Sequence, residues 1–183
     1  IDQFFSSISS INEPSALGVE DYRGLLDVFI KEVDIQLSDS ILSLVLFGSA
    51  SRGEATGSSD LDIFTFFDDN KMTREQVNNE LISIIHNLRK HDEYKKLIGK
   101  IIHPEIYPFL ISKSQSGNSL WVFFDSTEEG IILKDSQDLG KKLIEKTKVK
   151  IANLGGRRVS LTNGRKCWIL FKDFSQILNQ PLN

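Results

Sequence analysis

Cysteine occurs once in this 183-residue chain, at Cys167, so no disulfide can close within it, and a lone thiol fits a reducing compartment. Histidine occurs three times, as His86, His91 and His103. None has a Cys or His partner at ligand spacing, which argues against a zinc site. Long apolar runs are missing too: no stretch approaches the roughly 20 residues that span a bilayer, so no membrane association is expected. The chain opens at Ile1 without a basic-then-apolar leader. The expectation is a cytoplasmic protein without a targeting segment. Repeats and low-complexity segments are absent from the sequence. What remains is ordinary for a globular protein: 40% hydrophobic and 26% charged residues, in a length that suits one domain with a real core.

The net charge of −3 conceals an uneven distribution. Residues 140–172 hold ten Lys or Arg against Glu145 alone, a local charge of +9, which leaves 12 basic against 24 acidic residues elsewhere, or −12. An acidic body beside a basic tail suits a polyanionic substrate.

Residues 1–17 read as a short helix or loop. Tyr22, Leu25, Leu26, Phe29, Ile30 and Val33 follow a helical period and predict a helix over 19–37. Ile41–Phe47 and Leu61–Phe67 read as buried strands. The intervening Gly48–Ser59, with three glycines and four serines, suits a turn, one helical turn and a loop. Thr73 with Gln76 forms a capping-box pattern ahead of Val77, Leu81, Ile84, Ile85 and Leu88, which predicts a helix there. A further helix is expected over 92–99. Glu105–Ser112 reads as a third strand, with Pro108 arguing for an edge or a bulge, and 113–119 as a polar loop. Leu120–Phe124 and Ile131–Leu133 fit either one helix or two strands. A last helix over 137–153 buries Leu139, Leu143, Ile144 and Ile151 and ends at Gly155-Gly156, a C-terminal cap. Its lysines form the wet face. Asn163-Gly164 signals a hairpin between 157–162 and 165–171, with Cys167 packed beside Trp168.

The informative stretch is Phe-Gly-Ser-Ala-Ser-Arg-Gly, five residues, then Ser-Asp-Leu-Asp-Ile, over 47–63. Strand residues two apart share a face, so Asp60 and Asp62 aim both carboxylates into one space. Such a pair calls for a hard divalent cation. Mg²⁺ takes oxygen ligands and keeps positions for water and substrate phosphates, and two such ions can clamp an in-line displacement. Gly48 lets the backbone approach a triphosphate, Ser49 offers a hydroxyl, and free amides at a following helix start add partial positive charge. Arg52 is placed to reach the same phosphates, or to pair with Glu54. Ser59 caps the loop or touches the nucleotide.

Gly48-Ser49, ten residues, then Asp60-Leu61-Asp62 resembles the signature of the DNA polymerase β-type nucleotidyltransferase superfamily, and the full run is especially similar to its minimal stand-alone members. The tail Gly-Gly-Arg-Arg-Val-x-Leu-x-Asn-Gly-x3-Trp, over 155–168, more weakly resembles a hairpin behind this domain in small microbial members. The resemblance implies an α/β fold, a short mixed sheet with helices packed on one face. A nucleotidyltransferase domain would fill 1–135, with 136–183 as a C-terminal helix and β-hairpin of the same globule. It implies transfer of a nucleoside monophosphate, AMP from ATP or another NTP, to an acceptor hydroxyl with release of pyrophosphate and use of Mg²⁺. The acceptor stays open between a protein side chain, an RNA 3′ end and a small molecule. A third carboxylate comes from a neighbouring strand in that family. Glu105 is the first choice for it, as metal ligand or general base, and Asp125 the alternative. Two other readings stand beside the enzyme: a non-catalytic nucleotide- or partner-binding module, and an RNA-binding protein led by the basic 141–172 segment. A partner chain or a second copy completing the site also stays open.

Overall fold

The computed structural model describes residues 16–100, 102–117, 123–162 and 166–170. The expectation for the first fifteen residues, the start of the 120–124 run and the Asn163-Gly164 turn lie outside them. Helix α1 (Val19–Leu37) starts at Gly18, whose N–H donates to Asp21 Oδ2 at 2.8 Å. Acidic Glu20 and Asp21 in its first turn complement the helix dipole. Strands β1 (Ile41–Phe47) and β2 (Leu61–Phe67) follow where their apolar runs predict. Helix α2 (Arg74–Leu88) carries the expected capping box: Thr73 N–H donates to Gln76 Oε1 at 2.8 Å, and Gln76 N–H to Thr73 Oγ1 at 3.2 Å. Helix α3 (Asp92–Gly99) leads to β3 (Ile106–Ser112) and the single turn α4 (Lys113–Ser116), where a plain loop was expected.

Between them, 123–135 settles the open choice against one continuous helix. A short turn α5 (Ser126–Glu129) ends at Gly130, and strand β4 (Ile131–Asp135) follows. Helix α6 (Leu139–Asn153) then ends as the glycine pair predicts: Gly155 takes φ +64, and Gly156 N–H reaches back to the Ile151 carbonyl at 2.8 Å. Strands β5 (Arg157–Ser160) and β6 (Lys166–Ile169) pair antiparallel, with Arg158 opposite Trp168 and Val159 opposite Cys167.

The main sheet runs β3-β2-β1-β4. β1 is antiparallel to both β2 and β4, while β2 and β3 are parallel, so the sheet is mixed as expected. β3 is an edge strand, the place where Pro108 removes no ladder hydrogen bond. Side-chain alternation divides the sheet into two faces. One face presents Leu44, Leu46, Leu61, Ile63 and Phe67 to α1, α2 and α3, which contribute Tyr22, Phe29, Val33, Leu81 and Ile84. The other packs Leu42, Val45, Phe64 and Phe66 against Phe123 and Leu143 of α6. β1 and β2 are therefore covered on both sides, the physical reason for their unbroken apolar runs. Burial of Phe29 or Phe64 contributes roughly 1.5–3 kcal/mol each. The second face is closed at one end only. Towards the N-terminal end of β2 it stays open, and there Asp60 and Asp62 emerge.

Candidate functional site

The site is built at the shared end of β1 and β2, where Phe47 pairs with Asp62. Gly48 turns the chain with φ +81, a left-handed conformation that favours glycine. A Cβ on Gly48 would lie 2.6 Å from Asp62 Oδ2, so only glycine leaves that carboxylate its space. No regular helix follows. Residues 49–54 form turns instead, with Glu54 N–H donating to the Ser49 carbonyl at 2.9 Å and Gly53 N–H to the Ala50 carbonyl at 3.3 Å. The helix-start amides expected for phosphate binding are thus replaced by turn backbone. Glycines at 48 and 53 and the small residues 49–51 between them favour such turns over a helix.

The return loop is tied down from several sides. Leu17 and Ala55 exchange backbone hydrogen bonds at 2.8 and 3.1 Å, and Tyr22 Oη donates to the Thr56 carbonyl at 3.3 Å. Ala50 and Ala55 are fully buried. Ser59 Oγ accepts the Thr56 N–H at 2.9 Å, so Ser59 caps this loop. Leu61 N–H then donates to the Glu105 carbonyl at 2.8 Å, fixing where β2 begins.

Asp60 is exposed and Asp62 half-buried. Burial pushes the Asp62 carboxyl above the usual aspartate range, the nearby Asp60 charge pushes it further, and Arg52 pulls it partly back. The Asp62 face of the sheet also carries aromatic rings: Phe47 stacks on Phe64 at 3.9 Å, Phe109 meets Phe47 edge-on at 5.3 Å, and Tyr107 lies 5.0 Å from Phe109. Tyr107, beside Asp62 in the parallel β2–β3 register, is 57% exposed.

Arg52 donates from Nε to Glu54 at 2.6 Å and from a terminal nitrogen to Glu129 at 2.9 Å. Burial opposes its charge, and these two carboxylates outweigh burial, holding it above the ordinary arginine value. Glu105, proposed from the sequence as the third acid, binds Arg89 at 3.0 Å, with both side chains about half exposed. Asp125, the alternative, accepts the Trp168 indole N–H at 3.0 Å and faces Arg158 at 3.5 Å. Among the described residues, no three His, Cys, Asp or Glu side chains converge as a metal cluster. Asp60 and Asp62 fit a Mg²⁺ ion by their chemistry, which is that of hard oxygen donors. Sequence reasoning missed Glu129 and Arg158 as neighbours of Arg52. Their sequence separation of 77 residues for Glu129 leaves no local signal.

Residues 26–115 match the model of the nucleotidyltransferase domain family. That stretch, just under half of the chain, is similar to nucleotidyltransferase domains. It contains β1, the Gly48 turn, both aspartates and β3, and it ends before α5, β4, α6 and the hairpin. No curated protein matches the chain. Among solved structures, it resembles a toxin–antitoxin structure with AMP-PNP at 17% identity and TM-score 0.44, covering 70% of this chain and 88% of that one. It also resembles the tri-AMPylated Shewanella oneidensis HEPN toxin in complex with the MNT antitoxin, at 16% identity, TM-score 0.42 and coverage of 72% and 87%. The MntA–HepT toxin–antitoxin structure is similar at 14% identity and TM-score 0.41, with 72% and 88% covered.

Among the described residues, no helix is long and apolar enough to cross a membrane. The α6 face opposite its buried Leu143, Thr147 and Ile151 carries exposed Lys141, Lys142, Lys146 and Lys148.

Proposed function

We propose that the chain is a Mg²⁺-dependent nucleotidyltransferase that moves AMP from ATP to an acceptor hydroxyl and releases pyrophosphate. One observation carries this reading: the half-buried Asp62 carboxylate packs against the Gly48 turn, where any side chain larger than glycine would meet it.

In this reading the β- and γ-phosphates sit on the Gly48-Ser49 turn, and Arg52 meets their charge from the side. Asp60 and Asp62 hold the metal, which when bound offsets charge on the phosphoryl oxygens. Glu105 is the third carboxylate of the reading. Its exposed ion pair with Arg89 is worth no more than about 1 kcal/mol, so a cation can draw it away. In-line displacement puts the acceptor opposite the departing pyrophosphate. With the pyrophosphate towards β1, the acceptor arrives from the β3 side, over Tyr107. Most of the rate gain is electrostatic, from charges already in place around the transferring group.

The test is incubation of the full chain with labelled ATP and Mg²⁺ in the presence of a cell extract. The expected result is pyrophosphate release and one labelled acceptor, whose identification as protein, RNA or small molecule names the substrate. Label transfer that persists in both Asp60→Asn and Asp62→Asn would overturn the assignment, as would a wild-type chain that fails to bind ATP.

A further inference from the structure

Resting on that reading, we propose that Glu129 and Arg158, outside the matched domain, are positioning residues that hold Arg52 in its phosphate-facing place, so that the C-terminal hairpin is part of the donor site. The contacts form one line. Arg158 of β5 binds Glu129 of α5, and Glu129 accepts from Arg52 at 2.9 Å. Glu129 is only 8% exposed, which sets its bonds apart from the surface pairs elsewhere in the chain. The Arg52 side chain is one-quarter exposed, so it is not sealed off from a ligand.

The charges require the arrangement. A buried carboxylate with one cation competes with any phosphate for that cation. Glu129 has two: Arg158, which it shares with Glu128 and Asp125, and Arg52, which it orients together with exposed Glu54. Arg158 is itself located by β-pairing opposite Trp168, whose indole it approaches at 5.9 Å, and by Glu128 at 3.2 Å. Trp168 in turn donates to Asp125, so both hairpin strands grip the 125–129 turn. Removing Arg158 therefore leaves Glu129 buried with Arg52 as its main cation. Arg52 is then withdrawn from the phosphates. Removing the Glu129 charge leaves Arg52 tethered through exposed Glu54 alone.

The two acting residues lie 29 apart in sequence, and Glu129 lies 77 from Arg52. Their effect is specific to the part of the nucleotide that Arg52 meets. ATP, which carries the β- and γ-phosphates, depends on the line; AMP, which lacks them, does not.

The experiment is calorimetric binding of ATP and of AMP, each with Mg²⁺, to the full chain, to Arg158→Met, to Glu129→Gln and to the double variant. ATP affinity is expected to fall about tenfold in each single variant, with AMP affinity changed less than twofold. The double variant is expected to lose little more than either single one, because both act through Arg52. Arg158→Lys, which keeps the charge without the planar fork, is expected to recover part of the ATP affinity. Wild-type ATP affinity in the single variants, or equal weakening of ATP and AMP in the isosteric Glu129→Gln, would overturn the proposal. A wild-type chain that binds neither nucleotide would overturn the donor-site reading and this proposal together.

Discussion

Two sets of acidic side chains surround Arg52, and the fold treats them oppositely. Glu54 and Glu129 are matched by cations: both bind Arg52, and Glu129 also binds Arg158. Asp62 has burial and the nearby Asp60 charge against its ionisation, with the Arg52 charge in its favour. The first set behaves as structure, holding a turn and a hairpin against the sheet. In the second, ionisation of Asp62 is opposed by burial and by Asp60, and in the proposed reading a bound cation would favour it. In the proposed reading, the difference separates acids that hold the protein from acids that serve a ligand.

Breaking the second set should have the largest effect. Asp60→Asn or Asp62→Asn is expected to slow nucleotidyl transfer by roughly 10³-fold, corresponding to about 4 kcal/mol of lost stabilisation. Pyrophosphate release measures it, and a loss below tenfold would place the two aspartates outside the chemistry. Next is the turn that accommodates Asp62. Gly48→Val forces a branched side chain into a left-handed conformation and against Asp62 Oδ2, and should cost about 2 kcal/mol in urea unfolding. Unchanged stability would mean the turn relaxes freely.

A subtler effect sharpens the contrast. In the folded chain the Asp62 carboxyl is raised by burial and then by Asp60, so the unfolded chain ionises it more readily. The metal-free fold therefore loses stability as pH rises from the ordinary aspartate range through the raised value. Asp62→Asn is expected to melt higher than wild type at neutral pH, with the gap closing as pH falls below the ordinary aspartate range. Mg²⁺ should raise the melting temperature of wild type and leave the variant unmoved. A variant that melts lower at pH 7 would remove the repulsion from the account. The smallest effect concerns the exposed Arg89–Glu105 pair. Arg89→Gln should change stability by less than about 0.5 kcal/mol and leave transfer undiminished, since it frees Glu105. A drop in transfer would show that the pair holds Glu105 where it works.

Much of this arrangement was legible from residues close in sequence. The Thr73–Gln76 cap, the Gly155-Gly156 stop, the edge position of Pro108 and the two central strands all follow from local geometry and periodicity. The position of Asp62 beside the Gly48 turn is local as well, through its pairing with Phe47, while Asp60 precedes the strand whose alternation was expected to orient it. The 120–133 segment was ambiguous for a physical reason. Trp121, Phe124, Ile131 and Ile132 satisfy a helical spacing, and only pairing of Val45 with Ile132 and of Leu46 with Ile131 makes β4 a strand.

By itself, then, the sequence determined the strand–turn–strand that carries the two carboxylates, because every contact needed to form it spans a few residues or repeats with a fixed period. The tertiary structure alone decided which acids are neutralised. Glu129 meets Arg52 and Arg158 across long sequence separations, and Glu105 turns to Arg89. Charge pairing depends on distance in space, and no spacing rule along the chain encodes it.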